Sequence, residues 1–150
     1  MAKYLEKKLG KPFTVTNVVG GGGSIADNRV KNAKPDGNTI LVNHVTLNLS
    51  TASKVIDFSY KDFQMGGVFA QQASDVVLVR GDSPWNSIQD MIADTKKNPN
   101  KYKVAANTGT SSHYVAIALQ NAGAQLNVVD SGGSADRIVA LLGGHVDVIP

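Results

Sequence analysis

Asn107-Thr108-Gly109-Thr110-Ser111-Ser112-His113 gathers small hydroxyls, a glycine and an imidazole between an apolar run, Val104 to Ala106, and a helical pattern through Val115, Ala118, Leu119 and Ala122. A polar loop that opens a helix leaves first-turn amide N–H groups without intrahelical partners, and the helix dipole makes that end positive. Ser and Thr hydroxyls add donors. The chemistry this suits is the holding of an anion. A second loop of the same design, Asp130-Ser131-Gly132-Gly133-Ser134, follows the apolar run Leu126 to Val129 and precedes Ile138, Leu141 and Leu142. One such loop is explained by helix capping alone. Two at one sheet edge argue for a shared site. Four charge-assisted hydrogen bonds of about 1.5–3 kcal/mol each, less several kcal/mol for lost ligand freedom, give an affinity of about micromolar. Capture and release at that affinity needs no nucleophile.

Other chemistries fit less well. Gly20 to Gly23 invites a phosphate loop, but Ser24-Ile25 stands where Lys-Ser/Thr is required. The dinucleotide fingerprint puts Ile25 or Ala26 at its third glycine, and no acid lies about twenty residues on. The plainer reading of the glycine run is a tight turn with close backbone approach. Ser111, His113 and Asp130 are the residue types of a hydrolytic triad, yet the nucleophile-elbow glycine is missing. His44, His113 and His145 are scattered and there is no cysteine, so no metal set and no cofactor is indicated. The net charge of +3 comes with lysines clustered at the start rather than a basic stripe with interleaved aromatics, which points away from nucleic acid.

The elements that must position these loops follow from pattern. The chain has 150 residues, 42% hydrophobic and 18% charged, as in a globular protein. Residues 3–9 read as an amphipathic helix stopped by Gly10, and Ser24 caps a helix to about Ala33. A short helix is expected over 47–54 and a surface loop over 57–63. Segments 13–19, 39–43, 65–69 and 75–80 read as strands. Ser83 and Pro84 read as the cap and first residue of a helix carrying Trp85, Ile88, Met91 and Ile92. Strands over 103–107, 126–129 and 146–149, alternating with helices, predict a parallel sheet with both loops at its carboxyl end. A lobe boundary is expected around Ala73 to Asp82.

Several segments match a known family in its order along essentially the whole chain. They are Leu9-Gly10-Lys11-Pro12, Asn17 with Gly20 to Gly23, and Ala33-Lys34-Pro35-Asp36-Gly37-Asn38-Thr39. Tyr60-Lys61-Asp62-Phe63, Gly109-Thr110-Ser111-Ser112-His113, Gly132-Gly133 and Leu141-Leu142-Gly143-Gly144-His145-Val146-Asp147-Val148 complete the set. The chain resembles the substrate receptors of the tripartite tricarboxylate transporters, which are periplasmic solute-binding proteins.

The resemblance implies an α/β, type II periplasmic-binding-protein-like fold with two small parallel or mixed sheets flanked by helices. It further implies an internal fragment, incomplete at both ends, with a partial first lobe over 1–75, a hinge crossover over 76–82 and a second lobe over 83–150. The implied function is non-enzymatic: periplasmic capture of a small carboxylate or acidic amino acid for membrane permease subunits. The alternative is an α/β enzyme using the same loops for a phosphorylated or acyl substrate. The implied ligand-binding residues are Thr46 in the first lobe, with Thr108, Gly109, Thr110, Ser111, Ser112 and His113, and Ser131, Gly132 and Gly133, in the second. The loop Asn43 to Thr46 departs from the family's Ser/Gly-rich pattern. Asp130-Ser131 replaces its usual Tyr-Lys, so that Asp130 either favours an amine-bearing ligand or points away. An incomplete first sheet exposes an edge, so self-association or poor order is expected over residues 1–75.

Overall fold

The computed structural model describes residues 1–71 and 74–150. Its sheet sets the two Ser/Gly loops side by side. The strands β1 (Leu78–Val79), β2 (Lys103–Ala105), β3 (Asn127–Val129) and β4 (Val148–Ile149) stand in the order β1-β4-β2-β3. β2 is parallel to both neighbours, with Val104 opposite Val128 on one side and Val148 on the other. β1 lies antiparallel to β4, Leu78 opposite Ile149. Parallel neighbours need crossovers. The chain supplies α5 (Ser111–Asn121) between β2 and β3, and α6 (Ser134–Leu142) between β3 and β4.

Alternation along β2 sends Val104 and Ala105 to opposite faces, and each face has its own core. Val104 and Val148 pack with Met91 of α4 (Ile88–Lys97), Ala116 and Leu119 of α5, and Leu126. Ala105 packs with Leu141 of α6, Val146 and Ile149. Burying a side chain such as Val104, which has no exposed surface, contributes roughly 1.5–3 kcal/mol. Trp85 and Tyr102 meet edge to face at 4.8 Å. Both donate to the Asp94 carboxylate, from Nε1 at 2.9 Å and from the phenol at 2.7 Å, which ties α4 to the start of β2.

The first half holds α1 (Ala2–Leu9), α2 (Ser24–Lys31) and α3 (Thr46–Ala52). Its core is a separate cluster of Leu47, Ile56 and Phe58 with Phe63 against it. The helices read from pattern at 3–9, 24–33 and 47–54 are therefore present, each within two or three residues of its expected ends.

Four expectations are corrected. Segments 13–19, 39–43 and 65–69 do not join a ladder, so the described residues form one sheet, in the second half of the chain, rather than two. Their β-branched residues fit a pleated surface, but composition does not supply a hydrogen-bonding neighbour. The strand expected over 75–80 shortens to two residues because it pairs only at the sheet edge, with β4. The fourth helix starts at Ile88, where Ser87 Oγ accepts from Asp90 N–H at 3.1 Å, rather than at Pro84. Trp85 turns inward before the helix begins. The 57–63 segment is more than a surface loop. Phe58 is buried, its carbonyl accepts from Thr51 Oγ1 at 2.7 Å, and Ser59 caps a single turn over Tyr60–Asp62. Part of the expected boundary, Ala73, lies outside the described residues.

Candidate functional site

The turn between β2 and α5 is built by its own hydroxyls. Thr110 occupies the N-cap position but does not cap with its side chain. Its Oγ1 donates back to the Asn107 carbonyl at 2.7 Å and lies 2.8 Å from Ser112 Oγ. Ser112 Oγ also accepts from Asn107 N–H at 3.2 Å. The first turn of α5 therefore keeps its positive end clear of a capping side chain. At α6 the N-cap is Gly133, again without a side-chain cap, and its N–H donates to Asp136 Oδ2 at 2.7 Å.

Arg137 joins the two turns. Its Nη1 donates to Ser112 Oγ at 2.7 Å and to Asn107 Oδ1 at 3.2 Å, and its Nη2 donates to Ser134 Oγ at 3.2 Å. The Nε–H is buried with no hydrogen-bond partner. The three groups that hold Arg137, Asn107, Ser112 and Ser134, are neutral. Burial pulls its pKa down, but a guanidinium stays charged. Asp130, the acid next to the second loop, is exposed and accepts from Asn107 Nδ2 at 2.7 Å. It reaches Arg137 only through Asn107.

These groups converge on a cleft of about 260 Å³. Ser111, Ser112 and Val115 of α5 and Ser134 and Arg137 of α6 form one side. His44, residues 74–76 and Pro150 complete the lining. Two helix N-termini, four serines (Ser74, Ser111, Ser112 and Ser134) and a guanidinium thus border the cleft, with the Asp75 carboxylate in the same lining.

Of the residues singled out in the sequence, Ser111 and Ser112 line this cleft. Thr110 braces Ser112 from behind. His113 sits in the first turn of α5, where its Nδ1 is 3.5 Å from Gly109 N. Ser131, Gly132 and Gly133 form the turn into α6 and are not in the lining. Thr46 is buried with its hydroxyl 3.2 Å from His44 Nδ1, so the first-half residue that reaches the cleft is His44. Ser134 belongs to the second loop read from the sequence, though not to the implied ligand-binding set; Arg137 is the lining residue that the sequence reading does not single out. The signal for Arg137 was present: a cation in the first turn of a helix opposes the dipole, so its placement there needs a reason.

Thr108 and Gly109 face the first half of the chain. Gly21, Gly22 and Gly23 run through positive φ, and a Cβ on Gly22 would lie 3.1 Å from Thr110 Cγ2 and 3.2 Å from the Thr108 carbonyl. The close approach read from the glycine run is thus an approach to the site loop itself. Ser50 Oγ of α3 donates to the Gly109 carbonyl at 3.1 Å. Behind His44, buried Asp27 accepts from Asn43 Nδ2 at 2.6 Å, while its Oδ2 has no partner. Burial raises the Asp27 pKa, against smaller lowering by Asn43 and His44.

The chain is similar to known proteins along essentially its whole length. A UPF0065 protein of a Pseudomonas species is 30% identical over 159 residues, spanning 99% of this chain and 45% of that protein. Protein BugT of Bordetella pertussis is 30% identical over 152 residues, spanning 97% and 46%. The chain spans about half the length of these curated relatives. A solved periplasmic transporter superposes with TM-score 0.87 at 28% identity, over 98% of this chain and 51% of that one. Two Rhodopseudomonas palustris proteins share the fold. One, solved with adipate, has TM-score 0.77 at 19% identity over 99% and 51%; the other, MatC with bound malate, has 0.76 at 22% over 99% and 52%. The model of the tripartite tricarboxylate transporter family receptor matches residues 1–150, and the chain belongs to that family, TctC.

Proposed function

We propose that this chain carries the ligand-binding wall of a periplasmic solute receptor, and that its cleft captures a carboxylate of a small organic acid for a tripartite tricarboxylate-type transporter. The carrying observation is the convergence of the Arg137 guanidinium, the Ser111, Ser112 and Ser134 hydroxyls and two helix N-termini on one cleft. Malate and adipate, bound in two structures of the same fold, are acids of this kind. Asp75 also lines the cleft, which gives an acidic amino acid a counter-charge for its ammonium group. Delivery to membrane permease subunits belongs to the same reading.

The enzyme reading asks for a serine with a base at its proton. Ser112 Oγ is instead surrounded by a guanidinium, a backbone N–H and the Thr110 hydroxyl. The His113 Nδ1 faces Gly109 N. This is an arrangement for binding. A thermal-shift screen with malate, adipate, citrate and glutamate, beside nucleotides and sugar phosphates, tests the proposal. Saturation by an acid at 100-fold its Kd contributes about 2.7 kcal/mol and raises Tm by roughly 5–10 °C. Stabilisation by phosphorylated compounds alone would overturn it.

A further inference from the structure

We infer that His44 is a ligand-binding residue of the cleft, and that it makes the capture of an anionic solute tighter as pH falls. This rests on the carboxylate reading above and adds to it a contact from the first half of the chain and a condition on its affinity.

His44 precedes α3, is exposed, and lines the cleft together with Ser111 and Ser112 of α5 and Ser134 and Arg137 of α6. The loop that carries it stands on a buried polar base, Asp27 and Thr46, which are 1% and 5% exposed. Asp27 Oδ1 accepts from Asn43 Nδ2 at 2.6 Å, and Asn43 Oδ1 accepts from His44 N–H at 2.7 Å. The Asn43 side chain thereby ties the His44 backbone to α2. In the neutral ring Nδ1 accepts from Thr46 N–H at 3.4 Å, which leaves the proton on Nε2. Thr46 Oγ1, 3.2 Å from Nδ1 and 3.3 Å from Nε2, is placed to accept the N–H that protonation adds at Nδ1. The Nε2–H then becomes a charge-assisted donor, roughly twice as strong toward a carboxylate as a neutral one.

Histidine is the side chain that ordinarily changes charge between about pH 5 and 8. The charged groups around His44 are Asp27 of α2, Asp75 in the 74–76 segment and Arg137 of α6; Pro150, which bears the chain's α-carboxyl, is in the same lining. α3 has no titratable side chain, and the α5 residues in the lining, Ser111, Ser112 and Val115, add no charge. Asp27 favours a proton on the imidazole and Arg137 opposes it. Arg137 stays charged throughout this range, so it gives the affinity no pH dependence of its own. Asp27, whose pKa burial raises, is the other group whose titration would change the charge beside the cleft, and the test separates it from His44.

The acid among malate, adipate, citrate and glutamate that binds the wild type tightest is titrated calorimetrically at about pH 6 and about pH 8, on wild type, H44Q, H44K and D27N. The ligand's own titration enters every protein alike, so the readout is each protein's ratio of the two affinities compared with that of H44Q. The wild-type ratio is expected to exceed the H44Q ratio by about 3- to 10-fold, the gain of a charge-assisted over a neutral hydrogen bond. D27N is expected to keep the wild-type ratio. H44K carries its charge at both pH values and is expected to bind tightly at both, with the H44Q ratio; it also serves if H44Q folds poorly. A wild-type ratio no larger than that of H44Q and H44K overturns the inference alone, and a reduced ratio in D27N then assigns the dependence to Asp27. A wild type that binds none of the four acids at either pH overturns the carboxylate reading, and the inference with it.

Discussion

Arg137 Nη1 and Ser112 Oγ meet at 2.7 Å across 25 residues of sequence, and this bond fastens the first turn of α6 to the first turn of α5. The hydroxyl oxygen also accepts from Asn107 N–H. It is therefore the point through which the β2–α5 turn and the guanidinium hold each other.

Ser112→Ala removes that point. The Asn107 N–H and one Nη1 donor lose a partner, at a cost of about 1–3 kcal/mol. Tm is expected to fall by several degrees, and carboxylate affinity to fall further than in Ser111→Ala, whose hydroxyl lines the cleft without bonding Arg137. Equal affinity in the two variants, by calorimetry, would show that the Ser112–Arg137 bond does not organise the site.

Gly109→Ala tests the tie between the halves of the chain. Gly109 has φ +78, and a Cβ there would meet Val55 Cγ2 at 2.9 Å. Left-handed backbone costs a non-glycine residue about 1–2 kcal/mol, and the contact adds to it. Ser50→Ala, which removes the bond to the Gly109 carbonyl, is expected to cost about 1 kcal/mol. Urea denaturation of the two variants measures both; an unchanged midpoint for Gly109→Ala would contradict the packing described.

Asp27→Asn is expected to stabilise the protein at neutral pH. Burial raises the Asp27 pKa above its ordinary 3.8, so the folded state favours the protonated form. The contribution of this group is fully favourable below pH 3.8 and is lost as pH rises through the raised folded value. At pH 7 the ionised carboxylate is a liability that Asn removes, while Oδ1 still accepts from Asn43. The expected gain is about 1 kcal/mol, or roughly 2–4 °C in Tm. It should shrink on acidification. A gain that is independent of pH, or a loss at pH 7, would contradict this assignment.

The site was half legible in the sequence, and the reason is physical. Loop 107–113 announces itself locally, through hydroxyls at a strand-to-helix junction, and Ser111 and Ser112 were read from it. Arg137 lies in a helix whose apolar pattern, with Leu141 facing the core, draws attention elsewhere. Its role depends on Ser112 and Asn107, which only the fold brings near. Helices showed through their periodicity because their hydrogen bonds are internal. Strands 13–19 and 39–43 were misread because a strand is completed by a neighbour, which local composition cannot supply. The parallel β2, β3 and β4 were legible because each alternates with a helix of crossover length.

Segments 13–19, 39–43 and 65–69 join no ladder among the described residues and carry exposed apolar side chains, with Val19 85% and Val68 86% exposed. Such edges pair with other chains. Light scattering on this 150-residue chain is expected to show self-association at micromolar concentrations. Val15→Lys with Val68→Lys should reduce it. A monodisperse wild-type monomer across that range would contradict the expectation.

The most direct test of the central claim is a crystal structure with the tightest-binding acid. The account predicts a ligand carboxylate within hydrogen-bond distance of the Arg137 guanidinium, over the first turns of α5 and α6, beside Ser111 and Ser134. An acid bound elsewhere, with Arg137 still turned only to Ser112, Asn107 and Ser134, would contradict it.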